Sequence, residues 1–186
     1  MNTIVALWLP IVVSAVFVFI ASSLIHMVLP WHKNDYSTMP NETQVRDALR
    51  PFAIPPGDYM VPRPATRDEL RTPEFAARVN EGPNLVLTVL PNMPWMMGRT
   101  MGFWFLYCLV VSVLSACMAA AGLNGTFELH AVFHFVAMTA FIGYVIALWQ
   151  LVIWYRRSIA TTVKSTIDGI IYAVVTGLTF MWLWPK

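Results

Sequence analysis

"TTVKSTIDGIIYAVVTGLTFMWLW", residues 161–184, is a nearly apolar run with a lysine and an aspartate set into its first turns. A run of this length and character reads as a membrane-crossing helix, for which the hydrocarbon core of a bilayer asks for about 20 apolar residues. An ionised side chain placed in that core costs about 3 kcal/mol or more. Lys164 and Asp168 are therefore expected to face protein or water and to have partners.

Composition carries the same reading to the whole chain. Of 186 residues, 58% are hydrophobic and 12% are charged, against roughly a quarter charged in an ordinary soluble domain. That balance excludes a soluble globular domain. The net charge is only +2, and the arginines of the polar stretch alternate with acids instead of forming a basic stripe. Nucleic acid is thereby excluded as a partner. The two cysteines, Cys108 and Cys117, form neither a CxxC pair nor a metal-finger spacing. On one helix they stand ~13 Å apart, beyond the reach of a disulfide, so they read as small core or lipid-facing residues.

Four segments, roughly residues 4–28, 102–121, 129–155 and 166–184, are long and apolar enough to span. The first lacks a charged leading region, and its apolar run is too long for a signal peptide, so it is expected to be a retained anchor. Pro10 removes one hydrogen bond from it, a loss that membrane helices tolerate when neighbours re-satisfy the backbone. The expected fold is an all-α membrane protein of four transmembrane helices with a small α+β cytoplasmic cap between spans one and two. Its parts are transmembrane helix 1 over residues 1–30, the cap region over 31–100, and helices 2–4 over 101–186.

Basic residues set the topology. Eleven of the twelve Lys and Arg fall between spans one and two or just after span three; Lys186 alone falls on the other side, and the turn "GLNGTFE" carries none. The positive-inside rule then puts residues 31–100 in the cytoplasm and both termini in the periplasm. Trp31, Trp95, Trp154, Tyr155, Trp182 and Trp184 stand at the span ends, as an aromatic belt requires.

The cap region is patterned for structure. In "PNETQVRDALR", Asn41 is placed as an N-cap with Gln44 three residues on, and in "ATRDELRTPEFAARVNEGP" Thr66 and Glu69 have capping-box spacing. Thr72 precedes Pro73 at a first helical position, and Gly82 ends the run. "DYMVP" and "NLVLTVL" have strand composition and are expected to pair. So few apolar residues make no independent core, and the region is expected to lie against the membrane face or a partner. Small residues recur every four positions at Gly169, Ala173 and Gly177, and again at Thr139, Gly143 and Ala147. Such ridges allow close helix packing, within one bundle or with a neighbouring protein.

Two sets of residues are candidates for chemistry. Lys164 and Asp168 are spaced i,i+4 on one helix face, and His26 lies about one turn inside the membrane on the same side. A structural charge cluster of Asp168, Lys164 and His26 follows, with a His26–Asp168 contact that neutralises both groups. In "ELHAVFH", Glu128, His130 and His134 stand at the outer end of the third span, with the histidines at an i,i+4 spacing that can share a metal. Zinc asks for three or four ligands, and His26 and His32 lie on the opposite side of the membrane. No cofactor is expected, and no Ser/His/Asp set, phosphate loop or paired carboxylates stand out.

The stretches "HKNDY" after the first span and "IDGIIYAVVTGLTFMWLWP" at the end resemble a family of four-span bacterial inner-membrane proteins with no known activity. The resemblance implies a bacterial inner membrane and no catalytic residues. Two function classes follow. One is an accessory, scaffold or assembly subunit of a larger membrane complex, acting by contact with lipid and with other subunits or copies of itself. The other is an autonomous small transporter or channel, or a metal- or haem-binding protein using Glu128, His130 and His134. Transporters usually show internal repeats, broken helices and polar groups at mid-membrane. Their absence from the sequence favours the accessory class.

Overall fold

The computed structural model describes residues 3–94, 96–123 and 128–185. Trp95, residues 124–127 and Lys186, which bear on the expected belt and topology, lie outside them. The chain divides into two compact units, Met1–Ser37 with Met96–Lys186, and Thr38–Trp95.

The first unit holds four helices long and apolar enough to cross a membrane: Trp8–Val28, Met97–Gly122, Leu129–Tyr155 and Ile159–Leu183. Each packs on the next in sequence, and the fourth closes against the first. The fourth helix starts seven residues before the apolar run does, because Ser158 caps it by accepting the Thr161 N–H at 3.3 Å. Lys164 and Asp168 thus lie in its second and third turns rather than at its start.

Small residues let the backbones approach. A Cβ built on Gly169 would run into Val145 Cγ2, and one on Gly177 would stand 2.7 Å from Phe133 and 2.9 Å from Ala137. The Gly169–Ala173–Gly177 ridge is therefore spent on packing the fourth helix against the third and is not left for another protein. Between the first and second helices, Ser14 and Ser112 share a hydrogen bond of 2.6 Å, and Ser112 also donates to the Ile11 carbonyl at 3.0 Å. Two apolar clusters result. One gathers Val18, Cys108, Tyr144, Val145 and Tyr172, and the other gathers Leu7, Val132, Val136, Phe180 and Trp184. Trp184 is thus buried, and the belt assignment is corrected there: its ring lies 6.5 Å from that of Phe180. Trp31, Trp154, Tyr155 and Trp182 are exposed.

Two helices contain π turns that the sequence does not announce. Leu24–Val28 ends the first span and Ile142–Ile146 interrupts the third. In the second of these the Gly143 carbonyl accepts the Tyr107 hydroxyl at 2.6 Å. The wider turn brings the consecutive residues Tyr144 and Val145 both inward, opposite Gly169.

The second unit is α+β. Strands β1 (Gly57–Val61) and β2 (Leu85–Val89) pair antiparallel with Tyr59 opposite Leu87. Helix Glu42–Leu49 follows Asn41, whose left-handed φ of 51° leaves its side chain without a capping bond. Thr72 does cap Pro73–Glu81, accepting the Phe75 N–H at 3.2 Å. The Thr66–Glu69 box closes a 3-10 turn instead of an α-helix, with Glu69 N–H on Thr66 Oγ1 at 3.2 Å and Ala65 N–H on the Glu69 carboxylate at 2.6 Å. Glu69 also pairs with Arg78 of the following helix.

Candidate functional site

Pro30 decides the local backbone. The helix has to end before it, since proline disfavours the α region at the preceding residue, and Leu29 is extended at φ −80° and ψ 143°. Just ahead of it the first span widens into its π turn, where the Leu29 N–H reaches the Leu24 carbonyl at 3.0 Å. After it, Pro30–His32 forms a 3-10 turn, and the Asp35 N–H bonds to the His32 carbonyl at 3.1 Å. The chain folds back on itself here. Residues 31–37, which the sequence assigns to the polar region, stay with the helical unit.

This turn meets the face of the fourth helix that carries Lys164 and Asp168. Asp168 Oδ2 lies 2.7 Å from His32 Nε2, and Asp35 Oδ2 lies 2.6 Å from His32 Nδ1. Lys164 Nζ donates to Asp35 Oδ1 and to the Trp31 carbonyl, each at 2.8 Å. The Asp168 side chain is 4% exposed and those of His32 and Asp35 are 12% exposed, so the contacts are shielded from water. His26 stacks on His32 with ring centroids 4.1 Å apart, and its Nε2 is 3.4 Å from the Tyr172 hydroxyl.

Each short His32 contact joins a ring nitrogen to a carboxyl oxygen through one shared proton. Two carboxyl groups thus face one imidazole and one ammonium, so no charge in the network is left without a partner, which makes burial tolerable. Burial acts to raise the Asp35 carboxyl, but hydrogen bonds from Lys164 and His32 outweigh it and hold the group below its ordinary value.

The partner assignment from sequence needs correcting. Asp168 meets His32 directly, and Lys164 meets Asp35, although Lys164 and Asp168 share a helix face. His26 joins the network by stacking on His32, not by the direct bond to Asp168 expected from sequence. His32 was missed because a continuous helix from His26 would turn it ~240° round the axis. Pro30 forbids that helix, and the His32–Asp35 spacing in "HKND" was the available signal.

At the other candidate site, Glu128 Oε2 lies 3.1 Å from His130 Nδ1, with these side chains 81% and 68% exposed. The His130 and His134 rings stand edge to face at 5.8 Å. Among the described residues, the three ligand-bearing side chains that converge are instead His26, His32 and Asp168, one donor atom of each lying within 4.8 Å of the others. An apolar groove of about 410 Å³ lined by Ile25, Leu29, Pro30, Trp31, Ile167 and Ile171 reaches Asp168. No family model, curated protein or solved structure matches the chain.

Proposed function

We propose that this chain is an accessory or scaffold subunit of a larger bacterial inner-membrane complex, acting by protein–protein contact. Its four apolar helices supply the membrane anchor. Eleven of its twelve basic residues fall on one side of the spans, which supports a cytoplasmic location for residues 31–100 and periplasmic termini.

The surface of residues 38–95 carries this reading. Among its described residues Phe75 is the one buried hydrophobic side chain, while Met39, Phe52, Leu70, Leu90 and Met93 are each more than half exposed. A unit of this size that leaves most of its apolar side chains in solvent lacks the burial that ordinarily stabilises a small domain. A protein surface that covers them supplies it.

Extraction from native membranes in mild detergent tests the proposal. The wild-type chain, 21.0 kDa by itself, is expected to migrate in a larger assembly. Phe52→Ser combined with Leu70→Ser should release it as the free protein. A wild-type chain that migrates as an isolated monomer overturns the reading. Impermeant thiol labelling of Phe52→Cys should occur in inverted vesicles and not in intact spheroplasts; the opposite pattern overturns the orientation.

A further inference from the structure

We propose that His26, His32 and Asp168 form a binding site for one divalent first-row transition-metal ion, with Asp35 as the outer partner of His32. The site goes beyond the contact role proposed above and does not depend on it.

The donor set comes first. Two imidazoles and a carboxylate suit zinc, cobalt, nickel or iron(II) far better than calcium or magnesium, which prefer oxygen. Three protein ligands leave a further coordination position for water or another small donor. One donor atom from each side chain already lies within 4.8 Å of the other two. Bonds of about 2.0–2.1 Å in tetrahedral geometry place neighbouring ligand atoms roughly 3.3 Å apart. The widest separation has therefore to close by about 1.5 Å, while the His32–Asp168 pair, now at 2.7 Å, has to open by about 0.6 Å. His26 can make that movement, because it is exposed and its contacts are ring stacking on His32 and a long 3.4 Å approach to Tyr172.

The second observation is the bracketing of His32. A metal-ligating imidazole characteristically gives its other N–H to a carboxylate, which fixes the tautomer and makes the ligating nitrogen more basic. Asp35 stands at that position, 2.6 Å from Nδ1, and is itself held by Lys164 at 2.8 Å. Nε2 is thereby left as the atom aimed at Asp168. A proton now bridges Nε2 and Asp168 Oδ2. A divalent ion takes its place, bound by both atoms, and one proton passes to solvent. The groove beside Ile167 and Ile171 has Asp168 in its lining, and its apolar walls give the low-dielectric surround that strengthens such a site.

Cobalt(II) is the probe of choice because its visible bands report coordination directly. The full-length protein, purified in detergent and stripped with a chelator, is titrated with cobalt(II) and then with zinc(II) in competition. One equivalent of cobalt should bind and be displaced by zinc. Asp168→Asn and His26→Ala should each weaken binding at least about tenfold, and Asp35→Asn about tenfold to a hundredfold, the range for loss of an outer partner. His130→Ala and His134→Ala should bind as wild type does. If Asp168→Asn does not fold, His26→Ala decides, since that residue is exposed and helical content and monodispersity check its fold. Absence of saturable cobalt binding, binding unchanged in folded His26→Ala, or binding lost on His130→Ala each overturns the proposal.

Discussion

Between its helices the chain buries serines, glycines and a carboxylate; among the described residues of 38–95 the buried hydrophobic side chain is Phe75. The helical unit is held by close backbone approach and by long-range polar contacts such as His32–Asp168, which joins residues 136 positions apart. The α+β unit is held largely by local devices: the Thr72 cap, the Glu69 turn, the Glu69–Arg78 pair and a two-stranded ladder. Where most of the sequence is apolar, hydrophobicity does not choose which faces meet. Small residues and polar partners choose instead. Where apolar residues are few, capping and turn chemistry fix the elements, and little is left to pack them.

Removing Asp168 is the most severe way to break the helical side of this contrast. Asp168→Ala leaves His32 facing an empty position, and losing one partner of a buried charged contact costs about 3–5 kcal/mol. Unfolding of the purified protein in detergent should show the loss throughout the four helices. A variant as stable as wild type would remove the charged turn from the account of the bundle. Phe75→Ala is the counterpart in the other unit. At about 3 kcal/mol, the low end for a buried phenylalanine, it should release residues 38–95 to rapid hydrogen exchange while the spans keep their protection. Loss of protection in both regions together would show that they do not unfold as separate units.

Gly169→Ala is the next largest. Its new Cβ meets Val145, a β-branched side chain with little rotamer freedom in a helix, and overpacking of this kind costs about 1–3 kcal/mol. Gly98, around which no atom lies within 4 Å of a built Cβ, is the control that should tolerate alanine. Equal behaviour of the two variants, read from thermal melts, would contradict close packing at Gly169.

The smallest effect is in the turn at Glu69. The Ala65 N–H first and the Arg78 guanidinium second hold its carboxyl below the ordinary value of 4.5. A lowered folded value means that the contribution is complete above the unfolded value and is lost as pH falls through the folded one. Protection of the Ala65 amide, its exchange rate taken relative to that of an unstructured amide at the same pH, should fall as the solution is taken below about pH 4.5, and Glu69→Gln should remove that pH dependence.

Several features were legible from residue patterns. The four long apolar runs required helices, because every backbone polar group in a bilayer has to be satisfied within its own element. Thr72–Pro73 marked a helix start, and the strand runs paired as their composition suggested. Asn41 misled, because a left-handed backbone there turns the side chain away from the N–H groups it would cap. Lys164 and Asp168 were visible as charges in need of partners, but their spacing pointed to each other.

Composition and periodicity by themselves determined the number of spans, the division between apolar helices and a polar α+β stretch, and the demand that Asp168 be neutralised. These follow from local energetics, since burial, capping and charge in lipid are properties of a residue and its near neighbours. Tertiary structure alone decided that Pro30 folds residues 31–35 back onto the fourth helix, that His32 answers Asp168 while Asp35 answers Lys164, and that a π turn brings Tyr144 inward. Those outcomes depend on which side chains the packed backbones bring within 3 Å, and that distance is set by contacts between segments more than a hundred residues apart.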